Sequence, residues 1–199
     1  EAIYRIGGNP LLTRTGALYH DIGKSYEPIF FIENQTGGIN PHDKCEFDES
    51  AQHIINHVTK GVELAKKYNL PEVIVNFIRT HHGKSKVKYF YNSFKNKYPD
   101  KEIDESLFTY PGPDPVRKEC AVVMMADGVE AASRALEIKD EENLTKLVNN
   151  LIDGLLQDGR FSNADLTFKD ISTVKRVFTE MLINVYHARI AYPKLQTKA

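Results

Sequence analysis

The 199-residue sequence predicts an all-α domain, on three observations. Apolar residues recur at helical spacing, as Ile54, Val58, Val62 and Ala65 do along one stripe. Helix boundaries are marked by prolines at the start and glycines at the end, as in Asn9-Pro10 and in Pro71 to Gly83. No stretch keeps the period-two alternation of a strand for more than a few residues.

Taken in order, the opening EAIYRIGGNP reads as the tail of a helix. Asn9 caps the next one, with Pro10 at its first position, and LLTRTGALYHDI runs to a stop at Gly23. Two prolines and a Gly-Gly pair make residues 25–47 a loop. Asp48 is expected to cap ESAQHIINHVTKGVELAKKYN, and Pro71 to open PEVIVNFIRTHHG, closed by Gly83. Residues 84–113 are polar and aromatic and interrupt the helical rhythm. A long helix is expected from Pro115 to Leu136, then amphipathic segments near 141–157 and 168–191. The last begins with Thr167 and Asp170 at capping-box spacing.

Composition narrows the function classes. Hydrophobic content of 41% with 27% charged residues is that of one globular domain with a sizeable core. A net charge of −1 and a pI near 6.7 give no signature of a DNA or RNA polymer or of a membrane surface as partner. Cys45 and Cys120 lack CxxC spacing and read as free thiols of a reducing compartment. No apolar run approaches the length of a bilayer span, and no signal peptide is visible.

The chemistry begins at LYHDIGK. Asp21 stands at the end of the expected helix, where unpaired carbonyls make an acid less favourable than a base. An acid there, beside His20, suggests a neighbouring cation. His53 and His57 share a helix face, His81-His82 end another helix, and Asp127 interrupts the apolar run AVVMMA on the face of Val123 and Ala131. A carboxylate buried there must be paired, with Arg134 or Lys24 as candidates, or bind metal. One histidine alone is more often a hydrogen-bonded core residue. The ordered set His20, Asp21, His57, His81, His82 and Asp127 is what points to metal. Six groups exceed one tetrahedral site and suit two divalent ions such as iron, manganese or zinc, with Asp21 shared.

Lys24, just past the glycine stop, is placed either to reach a phosphate above Asp21 or simply to sit solvated at a helix end. Arg134 lies two turns beyond Asp127, where it contacts phosphate or pairs with Glu130 or Glu137. KSKVKYFYNSFKNKY at 84–98 has five lysines, five aromatics and no acid. Its side chains, Tyr89 among them, could stack on a base, or the segment could be an amphipathic excursion with its aromatics on the core. Asn34 and Gln35 offer amides for base edges or for backbone. His42, in NPHD, is a site candidate or part of a turn. His53 and His187 read as structural.

The order H…HD…H…HH…D resembles the HD-domain metal-dependent phosphohydrolases, which are helical bundles around a two-metal site. The strings GALYHDIGK, FFIENQ, NPHD, HVTKGVELAKKYNLPEVIVNFIRTHHG, YFY, YPGPDP and MMADGVEAASRAL are similar to the cytoplasmic domain of the seven-transmembrane HD phosphodiesterases, the PgpH type, over about residues 1–190. The resemblance implies hydrolysis of the bacterial second messenger cyclic di-AMP to linear pApA by a hydroxide bridging two divalent metals, iron or manganese. It implies that His20 and Asp127 hold one metal, that His57, His81 and His82 hold the other, and that Asp21 bridges both. Asp21 and Lys24 are then the catalytic candidates, with Lys24, Asn34, Gln35, Tyr89 and Arg134 as substrate contacts.

It also implies one HD-type domain within a larger membrane protein, at the cytoplasmic face of the inner membrane. The family has a further histidine on a helix upstream of the His-Asp pair. None of the first 19 residues is histidine, so that helix is expected to lie outside this sequence, or the first metal to have one ligand fewer. The cyclic di-GMP branch has an acid after its double histidine and a Gly-Tyr-Pro signature. Here His81-His82 is followed by GKSKVKYFY, and YPGP at 110–113 is a different order. Other readings are hydrolysis of another nucleotide, a diiron oxygenase, and a domain that binds the cyclic dinucleotide without turning it over.

Overall fold

A computed structural model describes residues 1–35, 38 and 40–187. Eight α-helices carry the described chain: α1 (Ala2–Arg5), α2 (Pro10–Tyr19), α3 (Phe47–Lys67), α4 (Glu72–Thr80), α5 (Lys88–Lys97), α6 (Lys118–Ala135), α7 (Glu141–Gln157) and α8 (Phe168–His187). Among the described residues there is no strand, only an isolated antiparallel bridge between Lys86 and Thr109. None of the described helices is long and apolar enough to cross a membrane.

The main core joins α1, α6, α7 and α8 through Ile3, Met125, Val148, Ile152, Val174 and Val177, all buried. Burying an aliphatic side chain of this size contributes about 1.5–3 kcal/mol. Smaller clusters join α3 to α4 through Ala65, Val75 and Ile78, and α4 to α6 through Phe77, Cys120 and Val123. The second half of the chain thus forms a buttress, and α2, α3, α4 and α6 form the walls that carry the site.

Several boundaries differ from the sequence reading for physical reasons. Helix α2 is capped as expected, with Asn9 accepting from the Leu12 amide, but it ends at Tyr19. Residues 22–25 then form a 3-10 turn that contains Gly23. Gly23 is there for close approach: a Cβ would lie 1.8 Å from the His57 carbonyl oxygen. Helix α3 begins at Phe47, so Asp48 lies inside its first turn, where it accepts from the Glu49 amide. Helix α6 begins at Lys118, three residues later than Pro115, because the Val116 carbonyl is engaged by the Asp165 amide. The expected Thr167–Asp170 capping box forms: each side chain accepts from the other's backbone amide.

Residues 84–113 contain a helix that periodicity did not announce. On α5, Phe90 and Phe94 are buried with Phe108 and with Ala51 of α3, so the excursion packs its aromatics inward. Val87 donates to Phe108 and Tyr110 donates to Ser85, closing the excursion's base and bringing Tyr110 to the end of α4. Among the described residues of the loop at 25–46 are 3-10 turns at Pro28–Phe30, Ile32–Asn34 and Pro41–Lys44. Residues 188–191, expected to extend the last helix, and the side chain of His187 lie outside the described part.

Candidate metal centre

Asp21 follows the C-cap of α2, His57 projects from α3, His81 caps α4 with His82 beside it, and Asp127 projects from α6. The fold brings all six expected ligands to one place. Ligand atoms of His57, His81 and His82 lie within 4.8 Å of one another, and so do those of His20, Asp21 and Asp127.

Asp21 stands between the two groups. Its Oδ1 is 3.3 Å from His57 Nε2 and 3.6 Å from His81 Nε2. Its Oδ2 is 3.2 Å from His20 Nε2 and 2.7 Å from Lys24 Nζ. Asp127 extends the second face, with Oδ1 3.6 Å from His20 Nε2 and Oδ2 3.8 Å from His82 Nδ1.

Three imidazoles share one orientation device. Nδ1 of His20, His57 and His81 donates to the carbonyl three residues earlier: Ala17 at 2.7 Å, Ile54 at 2.6 Å and Ile78 at 2.8 Å. A carbonyl can only accept, so each Nδ1 carries a proton and Nε2 is the ligand atom. The consequence shows in the contacts. His57 Nε2 and His81 Nε2 face each other at 3.0 Å, and His20 Nε2 is buried without a well-directed hydrogen bond. Nitrogens so placed fit a cation that accepts their lone pairs, and the residues present suit a metal.

Ionisation follows the same geometry. Burial alone would raise the Asp21 carboxyl, but the surrounding imidazoles of His20, His57 and His81 outweigh it and hold the carboxyl far below its usual range, as a cation at their Nε2 atoms would. Burial disfavours the charged form of His20, yet the Asp127 and Asp21 carboxylates favour it, so a proton sits at Nε2 where a cation would otherwise be held, and metal binding there would release that proton. Burial and neighbouring imidazoles push His81 down and His82 well down, so both are neutral donors.

The second face opens into a cleft of about 700 Å³ lined by His20, Asp21, Lys24, Ile32, Glu33, Asp127 and Arg134, among others. Such a volume suits a nucleotide-sized ligand. Lys24 Nζ is also 2.9 Å from Glu33 Oε1, which fixes it against the cleft wall. Arg134 lies along the cleft and pairs with Glu130 rather than with Asp127.

The other expected substrate contacts do not line this cleft. The Gln35 amide is used inside the loop, donating to the Ile29 carbonyl and to Asn40. Asn34 is exposed on that loop, and Tyr89 is exposed on α5, set edge-on to Phe90. His42 donates to the Phe30 carbonyl, as a loop residue would. Two neighbours of the site went unremarked in the sequence. Glu33 sits in FFIENQ without a spacing that ties it to Lys24. Tyr110 is buried and stacked on His82, with centroids 4.2 Å apart, a contact set by the base of the α5 excursion.

Comparison with known proteins gives the family. The HD domain family matches residues 2–132. The chain belongs to the HD-domain family. Over 193 residues, 97% of its length, this HD domain is 43% identical to a protein of Bacillus subtilis named cyclic-di-AMP phosphodiesterase PgpH. A protein of the same name from Listeria monocytogenes is 38% identical over 189 residues, 95% of the chain. The chain spans about a quarter of the length of these relatives, 27% and 26%. Among solved structures, the HD domain of L. monocytogenes PgpH in complex with cyclic di-AMP superposes with a TM-score of 0.88 at 36% identity. That match covers 93% of this chain and 86% of the other. The all-α fold is therefore that of the PgpH HD domain.

Proposed function

We propose that this chain is a two-metal phosphodiesterase that hydrolyses cyclic di-AMP to linear pApA. The observation that carries the reading is the division of Asp21, whose Oδ1 faces His57 and His81 while Oδ2 faces His20. A carboxylate so placed can be shared by two cations. His20 and Asp127 are assigned to one, His57, His81 and His82 to the other, and Asp21 to both. Imidazole and carboxylate donors together suit iron, manganese or zinc, and the family resemblance favours iron or manganese among them. The names of the relatives and the ligand of the Listeria complex support the choice of substrate.

Two cations held here would neutralise phosphate charge and lower the pKa of a water molecule. The residues of the chain do the rest. Asp21, kept ionised, fixes the separation of the two ligand groups. Lys24, held at the cleft wall by Asp21 and Glu33, meets a phosphate oxygen of a diester seated over Asp21. Arg134 offers a second cation along the same cleft, while Ile32, Val123 and Ala131 give apolar surface for an adenine. Hydrolysis adds water across one P–O3′ bond: phosphorus keeps the new oxygen, and the ribose O3′ leaves and takes a proton. Because this messenger is intracellular, the activity assigns the domain to the cytoplasmic side of the cell envelope.

The test is incubation of the manganese-reconstituted protein with cyclic di-AMP, followed by chromatography of the products. The expected result is pApA, with cyclic di-GMP turned over more slowly. Stoichiometric binding of cyclic di-AMP without product would replace the enzyme by a binding domain, and a preference for cyclic di-GMP would overturn the substrate.

A further inference from the structure

A second cluster of metal-ligating residue types lies outside the centre described above. Cys45, Glu49 and His53 each present one donor atom, a sulfur, a carboxylate oxygen and a ring nitrogen, all within 4.8 Å of one another. The sequence accounts for the convergence. Glu49 and His53 are four residues apart on α3 and share a face, and Cys45 immediately precedes the helix N-cap, Glu46.

The histidine of this trio is held as metal-binding histidines are held. Its Nδ1 lies 2.8 Å from Glu27 Oε2, and its ring stacks on Phe30 with centroids 3.8 Å apart. A carboxylate cannot donate when ionised, so Nδ1 carries the proton and Nε2 carries the lone pair. Cys45 and His53 are half-buried and Glu49 is exposed, which leaves room for water as a fourth ligand. The Cys45 thiol donates to the Pro41 carbonyl at 3.6 Å, and burial and Glu49 push its pKa up, so a cation bound here would displace its proton. The sulfur distinguishes this donor set from the sulfur-free centre around Asp21. Soft sulfur with imidazole and carboxylate selects zinc over magnesium or calcium.

We propose that Cys45, Glu49 and His53 form a separate site for a zinc-class cation, with Glu27 orienting the imidazole. Its place in the fold gives it a role. Glu27 and Cys45 lie near the two ends of the loop between α2 and α3, and both converge on His53. A cation there ties both ends of the loop to α3. The same loop carries Ile32 and Glu33 into the cleft, and Glu33 holds Lys24. Occupancy therefore bears on how Ile32 and Glu33 are held at the cleft wall.

Cobalt(II) titration of the metal-free full chain tests the site, because a cysteine ligand produces a thiolate-to-cobalt absorption in the near ultraviolet that histidine and aspartate do not. The expected result is one cobalt equivalent that brings this band, lost in Cys45→Ser and in His53→Gln. Asp21→Ala should keep the band while losing cobalt from the other centre, and circular dichroism should show all three variants folded. Absence of the band in the unaltered chain would overturn the site. So would a band that survives Cys45→Ser, which would assign it to Cys120, or one that survives His53→Gln.

Discussion

Replacing Asp21 with alanine is expected to abolish turnover, with a loss of at least about 10³-fold, the scale of removing a group that stabilises developing charge. Asp21 is the group whose oxygens face both sets of ligands, so its loss removes a donor from each side at once. The side chains left behind keep other partners. His20 retains Asp127 at 3.6 Å and Lys24 retains Glu33 at 2.9 Å. The variant should therefore fold, with a helical circular dichroism spectrum close to that of the parent, while its metal content falls. An Asp21→Ala protein that still binds two metals and turns over substrate would sink the bridging assignment.

Gly23→Ala should be the most damaging single-methyl change near the centre. The added Cβ would lie 1.8 Å from the His57 carbonyl oxygen and 2.5 Å from the Gly61 amide nitrogen. Both are backbone atoms of α3, so no side chain can turn aside to make room. The 3-10 turn at Ile22–Ser25 must move off α3, and Asp21, one residue before it, moves away from His57. Overpacking costs typically about 1–3 kcal/mol, and rigid backbone on the far side places this case at the upper end. For a chain of this size, 3 kcal/mol corresponds to a fall of about 6–12 °C in Tm. Thermal denaturation together with metal analysis checks it: a parental Tm with full metal occupancy would show that α3 and the turn are not held as closely as described.

The candidate centre was more legible in the sequence than the surface that surrounds it. Asp21 is conspicuous because helix-end electrostatics argue against an acid there, and Asp127 because it interrupts an apolar helix face; His20, His57, His81 and His82 gain meaning only as an ordered set with them. The purpose of Gly23 did not. A helix stop and a close approach require the same residue, and only the position of α3 separates the two.

Helix α5 was missed for a different reason. Its N-cap, Val87, makes no side-chain capping bond, and half of its ten residues are lysine or asparagine. Its stability comes from Phe90 and Phe94 packing on Phe108, a tertiary contact that no local signal encodes. Asn34, Gln35 and Tyr89 were candidates by residue type alone. Type does not say whether an amide is already used within its own loop, as that of Gln35 is. Glu33 illustrates the reverse case, an ordinary acid that acquires its importance only when the loop folds back to Lys24.

The most direct measurement of the central claim is anomalous X-ray scattering from crystals of the protein loaded with manganese. Two peaks are expected, one beside Asp21 Oδ1 among His57, His81 and His82, the other beside Oδ2 with His20 and Asp127. A single peak, or two peaks that do not share Asp21, would contradict it.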